Sequence, residues 1–280
     1  MIQNTGHKPL TLGVLRTAWH KLFGVRTQAK LLEQGIESNV QYFGSLNAIY
    51  NALLSDEIEA MPYPFKDLPT YLPTGILPTA LTQRRTVYQA VVSLKSNDKT
   101  DTNIIGISED AKIVVKSAVN AAQLRAFLPQ AHIAVETLTP PDVVSALRQQ
   151  KFDAAVLTSE SIAALALQND EWDVFLFSPR EFIPEVGQGV VCFVTAADNL
   201  PIRRLFQTIH TPSVSVLTNV ERTLKKRFPD GQVNAYCDRD RMGHYHLWVA
   251  ALVNGTLRRT RISQTTSYEM AERAYEKLFY

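Results

Sequence analysis

Two hundred and eighty residues at 31.4 kDa exceed the usual size of a single core and point to two or three compact domains. With 45% hydrophobic and 20% charged residues, 12 Gly and 14 Pro, the composition excludes collagen-like and disordered classes. The 29 Lys+Arg against 27 Asp+Glu leave a net charge of +2, too balanced for a nucleic-acid or anionic-membrane partner, so any anion site has to be local.

The first segment, LTLGVLR, reads as a strand, and LFGVRTQAKLLEQG as a helix closed by Gly35 at its C-cap. A second helix over SLNAIYNALLSDE carries Leu46, Ile49, Leu53 and Leu54 at helical spacing, with Ser45 as N-cap. The short apolar run IEAMPYPF follows. Pro69, Pro73, Gly75 and Pro78 then mark KDLPTYLPTGILP as an irregular connection, and TVYQAVVSL is a β-branched strand. The polar run KSNDKTDTN, residues 95 to 103, is the clearest domain boundary. Beyond it AKIVVKS, HIAVETL and FDAAVLTS read as strands alternating with helices over VNAAQLRAFLP and PPDVVSALRQQ, the pattern of a doubly wound α/β domain. SIAALALQ is helical and WDVFLFS extended; EVGQGVVCFVTA is a glycine-marked turn feeding a strand, and NLPIRRLFQTI is a helix. The tail opens with a helix over SVLTNVERTLKKRF, continues as hairpin strands QVNAYCDRD and HYHLWVAALVNG, and closes on the amphipathic helix SYEMAERAYEKLF.

No stretch approaches the roughly 18 uninterrupted apolar residues of a membrane-spanning helix. Arg16, His20 and Lys21 interrupt the N-terminal region where a secretory apolar stretch would lie, so a cytoplasmic location is expected. Cys192 and Cys237 are far apart with no metal-like spacing and read as buried thiols. His244 and His246 share a strand face without a third ligand, so no metal is expected. From residue 215 onward eleven Lys+Arg face seven Asp+Glu, a bias read as a solvated basic face that would also suit an anionic ligand.

Several segments resemble one family in order and spacing. YPFKDLPTYLP is similar to the HSxKDxP segment of hydroxymethylbilane synthase, also called porphobilinogen deaminase, with Lys66, Asp67, Leu68 and Pro69 matching and Tyr63 and Pro64 replacing His and Ser. LTQRRTVYQAVVS resembles the next stretch through Arg84 and Ala90 to Ser93. FDAAVLTSESIAAL is similar to YDAxILAxAGLxRL, and PEVGQGVVCF keeps Gly187, Gln188 and Gly189 of the PAxGQGAxGxE segment. NVERTLKKRFPDGQVNAYC keeps Glu221, Arg222, Gln232, Val233, Ala235 and Tyr236. The resemblance implies an α/β fold of two type II periplasmic-binding-protein-like domains, residues 1–95 with 187–213 and residues 100–183, with the active site in the cleft between them and a small α+β C-terminal domain over 215–280. It also implies a transferase that joins four porphobilinogen units into hydroxymethylbilane on a dipyrromethane primer held by a Cys. Asp67 would be its acid/base, beside a pyrrole nitrogen and the positive charge that deamination develops there. Arg16, Lys66, Arg84 and Gln188 would bind substrate.

The same resemblance exposes departures. The SSLRRQxQL segment appears as KSAVNAAQL, with Val119 and Asn120 replacing paired arginines that would grip substrate carboxylates. RGNVxTRLxKL becomes TLTPPDVVSAL, and the lysine-rich loop after the first helix is shortened to QYFGS. Gly231 stands directly before Gln232, where the primer-bearing Cys of GGCQVPxG belongs; Cys237, six positions later, could hold a primer only after a loop shift. A dipyrromethane is therefore expected not to be covalently attached. Two functional readings follow: a divergent synthase of doubtful activity, or a monomeric, non-catalytic relative binding a small carboxylated pyrrole, tetrapyrrole or other small anion.

Overall fold

The computed structural model describes residues 9–95, 104–229 and 231–280, so of the polar boundary run only Lys95 is among the described residues. The chain divides into two units, residues 1–85 with 189–215 and residues 86–188 with 216–280.

The first unit starts with β1 (Leu10–Leu15), α1 (Ala18–Glu33), β2 (Ser38–Phe43), α2 (Leu46–Leu54) and β3 (Met61–Pro64). A single 3-10 turn over Phe65–Asp67 follows, then β4 (Ile76–Leu81). Helix α1 starts four residues before the expected segment because the Thr17 side chain accepts from the His20 N–H at 3.3 Å. It ends as expected at Gly35, whose φ of 76° lets the N–H groups of Gly35 and Ile36 reach back to Leu32 and Leu31. Ser45 caps α2 on the Ala48 N–H. Two strands in this stretch had no counterpart in the sequence reading. SNVQYF forms β2 because its backbone pairs in parallel with β1 from Leu10↔Ser38 to Leu15↔Phe43. ILPTAL forms β4 despite Pro78, which sits where the register with the partner strand shifts, so the missing N–H is tolerated.

The second unit begins with β5 (Gln89–Leu94), β6 (Lys112–Val115), α3 (Ala118–Arg125), β7 (His132–Val135) and α4 (Pro140–Arg148), followed by β8 (Ala154–Thr158), α5 (Ser159–Ala164) and β9 (Trp172–Leu176). Ser117, Thr139 and Thr158 each end a βα connection and cap the following helix with a side-chain oxygen. The chain then re-enters the first unit as β10 (Val191–Ala196) and α6 (Leu200–Gln207). After α7 (Pro212–Lys225) the tail forms β11 (Val233–Arg239), β12 (Tyr245–Val253), β13 (Thr256–Gln264) and α8 (Met270–Phe279). Strand β13 was also missed. It completes an antiparallel β11-β12-β13 sheet through a two-residue Asn254-Gly255 turn with φ of 51° and 75°.

The two units repeat one strand order. In the first, β1 pairs in parallel with β2 and is bridged in parallel to the β3 edge at Leu12↔Ala60, while β10 lies antiparallel between β3 and β4. In the second, β7-β6-β8 are parallel, and β5 lies antiparallel between β8 and β9. Each sheet is thus a βαβαβ run closed by one strand from across the crossover. Each has its own core. In the first unit Ile49, Leu53, Ile58 and Met61 are almost wholly buried on one side and Leu12, Phe193 and Phe206 on the other. Each such side chain contributes about 1.5–3 kcal/mol of burial. Gly13 leaves room for α2 and the segment after it, since a Cβ there would collide with Ile58 and press on Ile49 of α2.

Candidate active site

In open α/β sheets the carboxyl ends of the parallel strands, where the order reverses, form the usual ligand position. In the first unit that end collects Arg16 directly after β1, Lys66 and Asp67 after β3, and Arg84 three residues after β4. Strand β4 runs in the same sense as β3 because both are antiparallel to β10. Backbone hydrogen bonds at this end tie the segments together: Phe65 N–H to Val190 O at 2.9 Å, Thr82 N–H to Val191 O at 3.0 Å and Arg85 N–H to Gly189 O at 2.8 Å. Arg16 is exposed and donates to Tyr42 O at 3.2 Å, which directs it across the ends of β1 and β2.

Lys66 Nζ lies 3.0 Å from both carboxylate oxygens of Asp67, and the two side chains are 10% and 24% exposed. An arriving substrate carboxylate would compete with Asp67 for this ammonium. Beneath the pair lies a group of rings that sequence reasoning did not single out. Tyr63 occupies the family's His position, is buried, and stacks on His20 at 5.4 Å. Burial first, then Asp67 and Tyr50, push its phenol up to about 12, against the opposing pull of Lys66. Tyr50 is buried on α2; its phenol too is raised by burial, and among the described residues its hydroxyl has no hydrogen-bond partner. The replacement of His and Ser before Lys66 was the signal available in the sequence.

Gln188 belongs to the second unit and is fully buried. Its amide nitrogen donates to Val87 O at 3.0 Å and Tyr88 O at 3.1 Å, and its amide oxygen accepts from Gln89 Nε2 at 3.3 Å. It therefore brackets the two crossing segments side by side.

The positions of the missing arginines are packed. Val119 is buried with Ile183, Trp248 and Ala250, and Asn120 Oδ1 accepts from Asn234 Nδ2 at 2.7 Å. Asn234 also donates to Ile183 O at 2.8 Å, so the first turn of α3 is held against the β11–β12 sheet. Gly231, at the position of the primer-bearing Cys, has a φ of 75°, and its carbonyl accepts from Val119 N–H at 3.2 Å. That left-handed backbone disfavours a Cys or any other L side chain. Cys237 is 0% exposed, in a core with Val233, Ala235 and Leu247. Its backbone N–H donates to Glu221 Oε1 at 2.8 Å, while Glu221 Oε2 accepts from Gly187 N–H at 2.8 Å. Glu221 thus fastens the GQG turn to the tail, a role for the NVER segment that its sequence alone did not disclose. Cys192 is likewise buried. Neither thiol has the exposure that attachment of a pyrrole chain requires, so a thioether-linked dipyrromethane does not fit the residues present.

A family model described as porphobilinogen deaminase, dipyromethane cofactor binding domain, matches residues 32–204, well over half of the chain. The chain belongs to the porphobilinogen deaminase family. The match spans Lys66, Asp67, Arg84 and Gln188 and leaves Arg16, Gly231 and Cys237 outside it. The porphobilinogen deaminase of Syntrophobacter fumaroxidans is 26% identical over 246 residues, 88% of this chain and 71% of that protein. The one from Sulfurimonas denitrificans is 24% identical over 186 residues, 66% of this chain and 58% of that protein. Among solved structures, the ligand binding component of an ABC-type import system from Staphylococcus aureus covers 78% of this chain and 73% of its own at 13% identity and a TM-score of 0.44. The periplasmic aliphatic sulphonate binding protein of Escherichia coli covers 79% and 74% at 13% identity and 0.40. These likenesses are slight; the α/β character of this porphobilinogen deaminase relative rests on its strand order. Among the described residues no helix is long and apolar enough to cross a membrane.

Proposed function

We propose that this porphobilinogen deaminase relative binds a carboxylated pyrrole, or a tetrapyrrole built from it, at the carboxyl ends of β1, β3 and β4, and that it does not elongate a chain on a covalently anchored primer. In this reading Lys66, Arg16 and Arg84 take substrate carboxylates, and Asp67 exchanges a proton with the pyrrole nitrogen through a carboxylate oxygen. Gln188 acts by keeping the crossing segments in place. Cys237 enters only if the β11 loop moves. The finer fold goes with it: two type II periplasmic-binding-protein-like domains and a small α+β domain over 215–280, with the first crossing between domains near residue 85 instead of the expected 95, because β5 pairs with β8 and β9. A monomeric, cytoplasmic protein is part of the same proposal.

The observation that carries the reading is Gly231, left-handed at the primer position and bonded to the first turn of α3. A second reading, binding without turnover, draws on Val119 and Asn120, whose positions are taken up by packing instead of by carboxylate grips. Intact mass before and after incubation with porphobilinogen tests the first. We expect the unmodified 31.4 kDa species under both conditions; a covalent dipyrromethane increment, mapped to Cys237, would overturn it. Calorimetry with porphobilinogen beside a hydroxymethylbilane assay separates the two readings: heat of binding with product favours Asp67-dependent chemistry, and heat without product favours the binder. No saturable binding would sink both.

A further inference from the structure

The basic bias of the tail is not absorbed by the strand-end site. Cross-strand register puts Tyr236, Trp248 and Arg261 in one row across β11, β12 and β13. Tyr236 stacks on Trp248 at 5.7 Å and 22°. Two guanidinium groups sit on the same indole, Arg261 at 5.2 Å and Arg180, from the segment after β9, at 5.0 Å. Both arginines are exposed, whereas Trp248 is only 7% exposed, so the ring serves as a platform beneath solvent-accessible guanidinium groups.

Among the described residues neither guanidinium forms an ion pair. Of the neighbouring acids, Glu181 acts on Arg259, and Asp240 and Asp238 have partners of their own. Asp240 Oδ2 is 3.0 Å from His246 Nε2 and 3.6 Å from His244 Nδ1, and Asp238 Oδ1 accepts from the Arg239 N–H at 2.9 Å. His246 lies in the adjoining row, its Nδ1 3.3 Å from Arg261 Nη2 and 2.8 Å from Ser263 Oγ. Arg259 turns its own fork onto the backbone carbonyls of Arg180 and Glu181, which holds the Arg180 segment to the sheet edge. Two like charges thus share one ring, Arg261 also bonded to His246 and the Arg180 backbone held by Arg259. Such an arrangement is relieved by an oxyanion that accepts from both forks.

We propose that Arg180 and Arg261, seated on Trp248, form a binding site for a compact dianion, a phosphate group or a pair of carboxylates on one ligand. The site is independent of the strand-end reading, because none of its residues belongs to that end of the first sheet.

The test is calorimetric titration of the full chain with inorganic phosphate and, separately, with succinate at low ionic strength. Wild type, Arg180→Gln, Arg261→Gln and the double variant are compared. We expect one equivalent to bind, about tenfold weaker affinity in each single variant and loss in the double variant, with binding falling as salt rises. Saturation by phosphate alone identifies a phosphoryl ligand, and by succinate alone a dicarboxylate. Binding of neither probe to wild type, or equal binding by wild type and the double variant, overturns the proposal. Should the double variant fail to unfold at the wild-type temperature, the charge-keeping pair Arg180→Lys and Arg261→Lys replaces it. We expect weaker binding there because lysine lacks the planar fork; undiminished affinity would overturn the site.

Discussion

At the scale of single residues, the two buried groups nearest the family motifs act in different ways. Glu221 gives each carboxylate oxygen to a backbone N–H, of Cys237 and of Gly187, in a fully buried setting. Glu221→Gln keeps the shape but turns an amide NH2 toward one of those donors, so we expect a loss of about 1–3 kcal/mol, read as a lower urea midpoint. Tyr63 titrates instead. Its phenol lies near 12 when folded against 10.0 when free, so the folded chain holds this proton more tightly. Stability is accordingly unaffected by this group below pH 10 and falls as pH rises from 10 to 12. Tyr63→Phe should flatten that part of the alkaline unfolding profile and remove one late phenolate from the absorbance titration; an unchanged profile would show that the ring is not the titrating group. Asp67 and Lys66 are legible because, with Leu68 and Pro69, they keep the spelling of the family's HSxKDxP segment, a match visible in one dimension. Tyr50 and Glu221 are not, since their significance lies in partners from distant segments.

At the scale of elements, the expected helices form, whereas β2, β4 and β13 have no expected counterpart and β3 only an unassigned apolar run. Capping is local chemistry: Ser45, Ser117 and Gly35 each act within a few residues of their own position. Strands β2 and β4 draw their order from partners elsewhere, β1 for one and β10, more than a hundred residues on, for the other. The third omission was avoidable. Asn-Gly before TLRRTRISQ is a strong hairpin signal, and the arginine-rich alternation that concealed the strand is its exposed face. Gly255 offers a clean test of that turn, because nothing lies within 4 Å of an added Cβ and only its φ of 75° opposes a side chain. Gly255→Ala should cost about 1–2 kcal/mol in thermal unfolding, without change in binding at the first-unit strand ends. A neutral substitution would mean that the turn is not formed as described.

At the scale of the whole molecule, the repeated strand order explains why two short segments bear so much of the architecture. Gln188 joins them through Val87, Tyr88 and Gln89, all buried or in backbone contact. Gln188→Ala strands two carbonyls and should lower stability by about 2–4 kcal/mol; a loss below about 0.5 kcal/mol would deny it that role. The origin of β10 has a further consequence for biosynthesis. The five-stranded sheet of the second unit lies wholly between Gln89 and Leu176, whereas β3 and β4 of the first wait for Val191–Ala196 to fill the gap between them. During translation the amino-terminal residues leave the ribosome first, yet their sheet is completed only after the five-stranded one that follows them in sequence. A nascent chain stalled where Leu176 has cleared the ribosomal exit tunnel and Val191 has not would therefore protect the middle of the sequence from protease while its beginning remained cleavable, reversing the usual order in which domains mature.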